Sequence, residues 1–219
     1  MRLSSVATTE AAVRHPWLAV SAIGLAIFSV VTTELLPVGL LTPVAETLAI
    51  SPGTAGLMVS LPALLAALFA PLVVLFSGRI DRRWMLCGLL GLLVVANLAS
   101  ALAPSWIWML VSRVFIGCCI GGIWAIASGL AVRLVSPARV GLATSIIFGG
   151  VAAASVLGVP MGAFIGELLG WRWVFGCMAL FSVVVLGLHL LFIPPLPVND
   201  SVRLGHFVKL FSAITTSPG

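Results

Sequence analysis

The stretch Leu110-Val-Ser-Arg113-Val-Phe-Ile-Gly117-Cys-Cys-Ile-Gly121-Gly122-Ile-Trp-Ala125 places one arginine inside an otherwise apolar run. The run continues to Arg133, the next charged residue. A helix needs about 20 residues to cross a bilayer, and this run is longer than that. Because a cation at the centre of such a helix costs roughly 2.5–3.5 kcal/mol on insertion scales, Arg113 marks a candidate functional site. Gly117 and Gly121 follow at intervals of four, on the same helix face. Small residues at this spacing let a neighbouring helix approach closely.

The overall composition indicates a membrane protein. Of the 219 residues, 61% are hydrophobic and 8% are charged, whereas about 25% of residues are charged in soluble domains. The net charge of +5 comes from basic residues that flank apolar runs, which excludes a nucleic-acid-binding patch. No nucleotide loop, nucleophile motif or cysteine–histidine metal spacing occurs in the sequence, so we expect neither an enzyme nor a bound cofactor or metal.

The apolar runs predict an all-α integral membrane protein with one bundle of six transmembrane helices over residues 17–193. The predicted spans are 17–41, 54–77, 84–103, 105–132, 140–165 and 174–193. Residues 1–16 form a polar arm, and residues 194–219 begin with a proline-rich stop and form a link beyond the bundle. Nearly all Arg and Lys outside the spans fall on one side, with only Arg172 opposite, so the positive-inside rule places both termini in the cytoplasm.

Glu34, in the first predicted span, lies at the same expected depth as Arg113. With the first span running outward and the fourth inward, both residues lie within roughly 10 Å of the bilayer midplane at about 1.5 Å per residue. An ion pair between them is one expectation, because pairing makes intramembrane charges tolerable. A carboxylate in this position is also able to take up and release a proton. The alternatives are a purely structural pair and a Glu34 that simply lies near the outer interface.

Two other segments are candidates for gating or packing. In the fifth span, Gly158 and Gly162 lie four residues apart with Pro160 between them, which predicts a close helix contact able to bend at the proline. The alternative is helix packing alone. The short turn Asp81-Arg82-Arg83 carries charges that are able to pair across helix ends and lock one conformation. Its arginines otherwise serve only as topology signals.

Polar and aromatic residues inside the spans are candidates to line a substrate path. Asn97 is a neutral polar residue of the third span, able to hydrogen-bond to another helix or to a substrate. Trp124 lies deep in the fourth span and is able to stack on a planar ligand, although core packing is the alternative. The remaining tryptophans of the outer boundary predict an interfacial belt. They are Trp106, Trp108, Trp171 and Trp173.

Four motifs in order resemble the amino-terminal half of a major facilitator superfamily transporter of the drug:proton antiporter branch. They are Glu34-Leu-Leu-Pro-Val-Gly-Leu-Leu-Thr-Pro43, Arg113-Val-Phe-Ile-Gly117, Gly158-Val-Pro-Met-Gly162 and Gly170-Trp-Arg-Trp-Val-Phe175. Further segments resemble the purine ribonucleoside efflux pumps. These are Asp81-Arg82-Arg83, Gly121-Gly122-Ile-Trp-Ala125, Arg133-Leu-Val-Ser-Pro137 and Ile165-Gly-Glu-Leu-Leu-Gly-Trp-Arg172. The turn Gly78-Arg-Ile-Asp-Arg-Arg83 is shorter than the family's Gly-x-x-x-Asp-Arg-x-Gly-Arg-Arg loop.

The resemblance implies a multi-pass protein of the bacterial inner membrane that exports small molecules, with purine ribonucleosides as the first substrate class. Arg113 and Glu34 would couple proton movement to export. The expected partners are the lipid bilayer, a small-molecule substrate and protons, together with a second half or a second copy, because such transporters have about twelve spans. The alternatives are sugar or drug efflux by the same mechanism, or a truncated membrane protein that does not transport.

Overall fold

The computed structural model describes residues 15–76 and 80–196, and in these ranges the chain is helical without strands. Six helices are long and apolar enough to cross a membrane, which confirms the predicted six-helix bundle. The spans, in order, are Pro16–Thr47; Pro52–Ala55 with Leu57–Phe76; Arg82–Ala101; Trp106–Ala127; Val140–Ala153, a π-helical turn Ala154–Gly158 and Val159–Leu169; and Trp171–Phe192. A short helix, Ala131–Leu134, and a 3₁₀ turn, Pro137–Arg139, join the fourth span to the fifth. Most of the polar arm, residues 77–79 and the link beyond 196 lie outside the described residues.

The first span extends six residues beyond its predicted end at Leu41, to Thr47. Pro43 does not stop this helix, because a proline removes only its own N–H and the remaining backbone hydrogen bonds continue. The Thr47 hydroxyl donates to the Pro43 carbonyl at 2.6 Å and satisfies one acceptor of the last turn. The chain then reverses at Ala49, which has φ 52.

The expected turn over residues 166–173 is a single residue in the structure. The fifth span continues to Leu169, and the sixth begins at Trp171. Gly170 between them has φ 91, a backbone conformation that side chains with a Cβ rarely adopt, so glycine permits this abrupt reversal. The sequence predicts that Trp171 belongs to the interfacial belt, and this prediction is wrong because the Trp171 side chain is buried. Its indole N–H donates to the Thr47 hydroxyl at 3.3 Å.

The first span is the central element of the bundle and contacts all five others. The first and fourth spans are the most buried, and the second and fifth are the least. The second span packs closely on the fourth, the fifth on the first, and the third on the sixth. This arrangement brings the buried polar residues of the first, third and fourth spans together in the interior.

Candidate functional site

Arg113 is fully buried between the fourth, first and sixth spans. Its Nη1 donates to the carbonyl oxygen of Thr33 at 3.4 Å, and Nη2 lies 3.9 Å from the sulfur of Met109. The guanidinium carbon stands 4.6 Å from the centroid of the Phe175 ring, within cation–π range. The predicted intramembrane cation is therefore held by a backbone dipole, a thioether and an aromatic face.

Glu34 directly follows Thr33, so the carboxylate and the arginine lie at nearly the same level of the bundle. Within the described residues, the groups that contact the Arg113 guanidinium do not include the Glu34 carboxylate. Glu34 is half-buried, whereas Arg113 is wholly enclosed. The expected ion pair is thus not formed in this conformation, although Glu34 directly follows the residue whose carbonyl Arg113 contacts.

A cluster of buried polar side chains lies close to the level of Arg113 and Glu34 in the bundle. The Asn97 amide nitrogen donates to the Thr33 hydroxyl at 3.2 Å, and both residues are buried. Ser100 and Ser112 share a hydrogen bond of 2.8 Å that joins the third span to the fourth. Because buried polar groups are costly unless they are hydrogen-bonded, these contacts fix the three spans in one register. Thr33 and the serine pair gave no signal in the sequence, since isolated hydroxyl residues are common in membrane helices.

Trp124 is half-buried on the fourth span and lies against Phe148 of the fifth, with ring centroids 5.7 Å apart. The two rings are inclined by 38°. The pair therefore spans two helices and leaves part of its aromatic surface uncovered. Asn97, the other residue expected to line a path, is fully enclosed by helices in this conformation.

The charged segment Asp81-Arg82-Arg83, which forms the cap and the first residues of the third span, contacts the end of the sixth. Asp81 caps the third span by accepting the Arg83 backbone N–H at 2.8 Å, and its carboxylate also accepts the Leu196 N–H at 3.0 Å. The Arg83 guanidinium donates to the Leu190 carbonyl at 2.7 Å. Arg82 lies beside Gly129, just beyond the end of the fourth span, where an added Cβ would be 3.3 Å from Nη1. This segment thus joins three spans at one end of the bundle.

Arg172 makes the corresponding contact at the opposite end of the third and sixth spans. It donates to the Ala103 carbonyl at 2.9 Å, just beyond the end of the third span. Each of these antiparallel helices therefore begins with an arginine that satisfies a carbonyl near the end of the other, where helices leave acceptors unpaired and favour positive charge. The one arginine that departs from the positive-inside pattern has a structural partner.

The glycines at spacing four form two close helix contacts. On the fourth span, Gly117 and Gly121 face the backbone of the second: an added Cβ would lie 2.7 Å from the Pro62 carbonyl oxygen and 2.5 Å from that of Ala66. On the fifth span, Gly158 faces Thr32 of the first span, and two further glycines at spacing four face leucines of the first span. Those two pairs are Gly162 with Leu36 and Gly166 with Leu40. Both predicted small-residue faces are used for packing.

The chain is similar to transport proteins over most of its length. The Major Facilitator Superfamily profile matches residues 18–217. The chain is 36% identical over 192 residues to a purine ribonucleoside efflux pump of Shigella dysenteriae serotype 1 (strain Sd197), covering 88% of this chain and 49% of that protein. It is 37% identical over 192 residues to the pump of the same name in Escherichia coli O127:H6 (strain E2348/69 / EPEC), covering 88% and 48%. The chain therefore spans about half the length of the curated relatives it matches.

Solved structures of transporters share the fold. A POT family transporter in complex with 5-aminolevulinic acid matches with a TM-score of 0.73 at 16% identity, covering 92% of this chain and 45% of that one. A bacterial homologue of the human lysosomal transporter Spinster matches with a TM-score of 0.69 at 19% identity, covering 86% and 46%. With the profile and the relatives, these similarities lead to one conclusion: the chain is a multi-pass membrane protein that belongs to the major facilitator superfamily of transporters.

Proposed function

We propose that this chain supplies one six-helix half of a proton-coupled exporter of purine ribonucleosides in the bacterial inner membrane, with both termini in the cytoplasm. A second half, or a second copy of the chain, would complete the path across the membrane. The observation that carries the proposal is the fully buried Arg113 on the Thr33 carbonyl, one residue from Glu34. The purine ribonucleoside pumps at 36% and 37% identity support the substrate class.

The geometry of Arg113 supports a coupling step. A buried cation is costly unless an opposite charge is paired with it. Here the Thr33 carbonyl, the Met109 sulfur and the Phe175 ring contact Arg113, and none of them carries a full negative charge. With a proton on Glu34, Arg113 stays on the Thr33 carbonyl. When that proton leaves, the carboxylate attracts the guanidinium and the first and fourth spans shift relative to each other. Proton release and helix movement are thereby linked.

Substrate binding is assigned to the aromatic pair of Trp124 and Phe148. A purine base is planar and apolar on both faces, so it stacks on exposed aromatic surface. We expect Trp124→Ala to raise KM for inosine export with a smaller effect on maximal rate, and Trp124→Phe to retain most of the affinity. A selective loss of maximal rate in Trp124→Ala would assign this tryptophan to packing instead.

The central experiment measures export of radiolabelled inosine from cells that lack their own purine exporters. Cells that express the chain should lose label faster than control cells, and a protonophore should remove the difference. Arg113→Ala and Glu34→Gln should abolish the export while membrane insertion remains normal. Normal export by Arg113→Ala would remove Arg113 from the mechanism, and export of sugars or drugs in place of inosine would select the other efflux substrates.

The size of the purified protein in detergent tests the need for a second unit. A stable dimer with export activity supports assembly of two halves, because transporters of this kind have about twelve spans with the substrate site between the halves. A monodisperse monomer without export favours a membrane protein that does not transport.

A further inference from the structure

Pro37 explains why the Thr33 carbonyl is available to Arg113. In an α-helix the N–H of each residue donates to the carbonyl four residues earlier, and proline has no N–H. Pro37 lies inside the first span, so the Thr33 carbonyl lacks its usual helical donor. In a membrane such a freed carbonyl is satisfied by a group from a neighbouring helix. Here that group is Arg113 of the fourth span, at 3.4 Å.

Thr33 is also contacted through its side chain. Asn97 of the third span donates to the Thr33 hydroxyl at 3.2 Å, and both side chains are buried. Thr33 is therefore contacted by the fourth span at its backbone and by the third span at its hydroxyl. These two contacts fix the position of the following residue, Glu34, relative to Arg113.

We propose that Pro37 and Asn97 are positioning residues for Arg113. Pro37 provides the backbone acceptor, and Asn97 holds the residue that carries it. For its consequence in transport this inference rests on the proposed function, since it assigns how the coupling arginine and Glu34 are kept in register. It also gives Asn97 a contact between helices in place of a contact with substrate.

A double-mutant cycle on the full chain in detergent tests the backbone contact without reference to transport. Pro37→Ala returns an N–H to the Thr33 carbonyl, and Arg113→Met removes the cation but keeps an apolar chain of similar length. We expect the effect of Pro37→Ala on the thermal unfolding midpoint to differ by about 2–4 °C between the unchanged chain and the Arg113→Met variant. The matched control is Pro43→Ala in the same helix, which should give the same change in both backgrounds. Equal effects of Pro37→Ala in the two backgrounds would overturn the inference.

Export measurements test the side-chain contact. Thr33→Val and Asn97→Leu should each lower the maximal rate about tenfold, equivalent to about 1.4 kcal/mol, with KM unchanged. The double variant should lose no more than either single one, and Thr33→Ser, which keeps the hydroxyl, should export normally. A raised KM in Asn97→Leu would return Asn97 to the substrate path and contradict the inference. If the unchanged chain exports no nucleoside, the proposed function fails. The unfolding cycle of Pro37 and Arg113, with a matching unfolding cycle of Thr33→Val and Asn97→Leu, still decides the inference.

Discussion

The second–fourth and first–fifth helix contacts both rely on glycines at spacing four, yet Gly158, Gly162 and Gly166 of the first–fifth contact face side chains, whereas Gly121 of the second–fourth contact faces backbone. On the fourth span, an added Cβ at Gly121 would meet the backbone of Ala66 and Ala70, at 2.5 Å and 3.0 Å. On the fifth span, an added Cβ at Gly166 would meet the end of the Leu40 side chain at 2.6 Å. A backbone atom in a helix cannot move without the helix, whereas a leucine is able to change rotamer. The second–fourth contact therefore tolerates less movement than the part of the first–fifth contact that follows the π-helical turn. Before that turn, an added Cβ at Gly150 would meet the backbone of Gly24.

The helices themselves show the same difference. The fourth span is an unbroken α-helix over Trp106–Ala127, while the fifth contains a π-helical turn, Ala154–Gly158, just before Pro160. Pro160 removes one helical hydrogen bond, and its ring crowds the preceding turn, so a widened turn relieves the strain. We propose that the second–fourth contact is a fixed part of the bundle and that the part of the first–fifth contact beyond the π-helical turn adjusts during transport, with Pro160 as its bend.

Gly121→Ala should cause a larger loss of stability than Gly166→Ala. The added methyl group meets the backbone of the second span, and overpacking of this kind costs about 1–3 kcal/mol. The gain in helix propensity on replacing glycine, roughly 0.5–1 kcal/mol, offsets only part of that cost. Thermal unfolding of the purified chain measures the difference. An unchanged midpoint would show that the second span is free to move away, and the second–fourth contact would not be the fixed one.

Gly166→Ala should lower the unfolding midpoint less than Gly121→Ala. Its methyl group displaces only the end of Leu40, so repacking absorbs part of the cost. The matched variant Gly166→Ala with Leu40→Val removes the displaced atoms and should recover part of the loss. If Gly166→Ala is as destabilising as Gly121→Ala, and the Leu40 variant gives no recovery, the first–fifth contact is as rigid as the second–fourth contact.

Particular residues show how much of this arrangement was predictable. Long apolar runs and basic turns predict six spans because bilayer thickness and charge placement act directly on sequence. The glycine spacing predicts close contacts, and the lone charge predicts Arg113 as the central buried residue. The partner helix of each contact was not predictable, because periodicity gives a face but no neighbour. Thr33 was missed for a similar reason: its role arises from the proline four residues later and from two residues on other helices.

The helix ends were also hard to predict, and Arg172 shows why. By charge placement alone it is an exception to the positive-inside pattern, and nothing in the sequence indicates that it reaches the Ala103 carbonyl. Gly170 lies in a predicted turn, but only its φ of 91 shows that one residue suffices to reverse the chain. Such features depend on contacts between helices. The order of the helices along the chain does not determine which of them become neighbours in the bundle.

Gly149→Ala should have the smallest effect and the opposite sign. Gly149 is next to Gly150 on the fifth span, but an added Cβ at Gly149 meets nothing within 4 Å, whereas one at Gly150 would meet the backbone of Gly24 and Phe28. Only helix propensity then acts at Gly149, so alanine should stabilise the chain by roughly 0.5–1 kcal/mol and raise the unfolding midpoint slightly. Gly150→Ala, at the next residue, should lower the unfolding midpoint, because its methyl group meets the backbone of a neighbouring helix, as it does at Gly121. A fall in the midpoint for Gly149→Ala as large as that for Gly150→Ala would mean that this face of the fifth span is covered in the purified protein. The first–fifth contact would then be one side of a larger interface, and its tolerance of movement would depend on whatever packs against the other side.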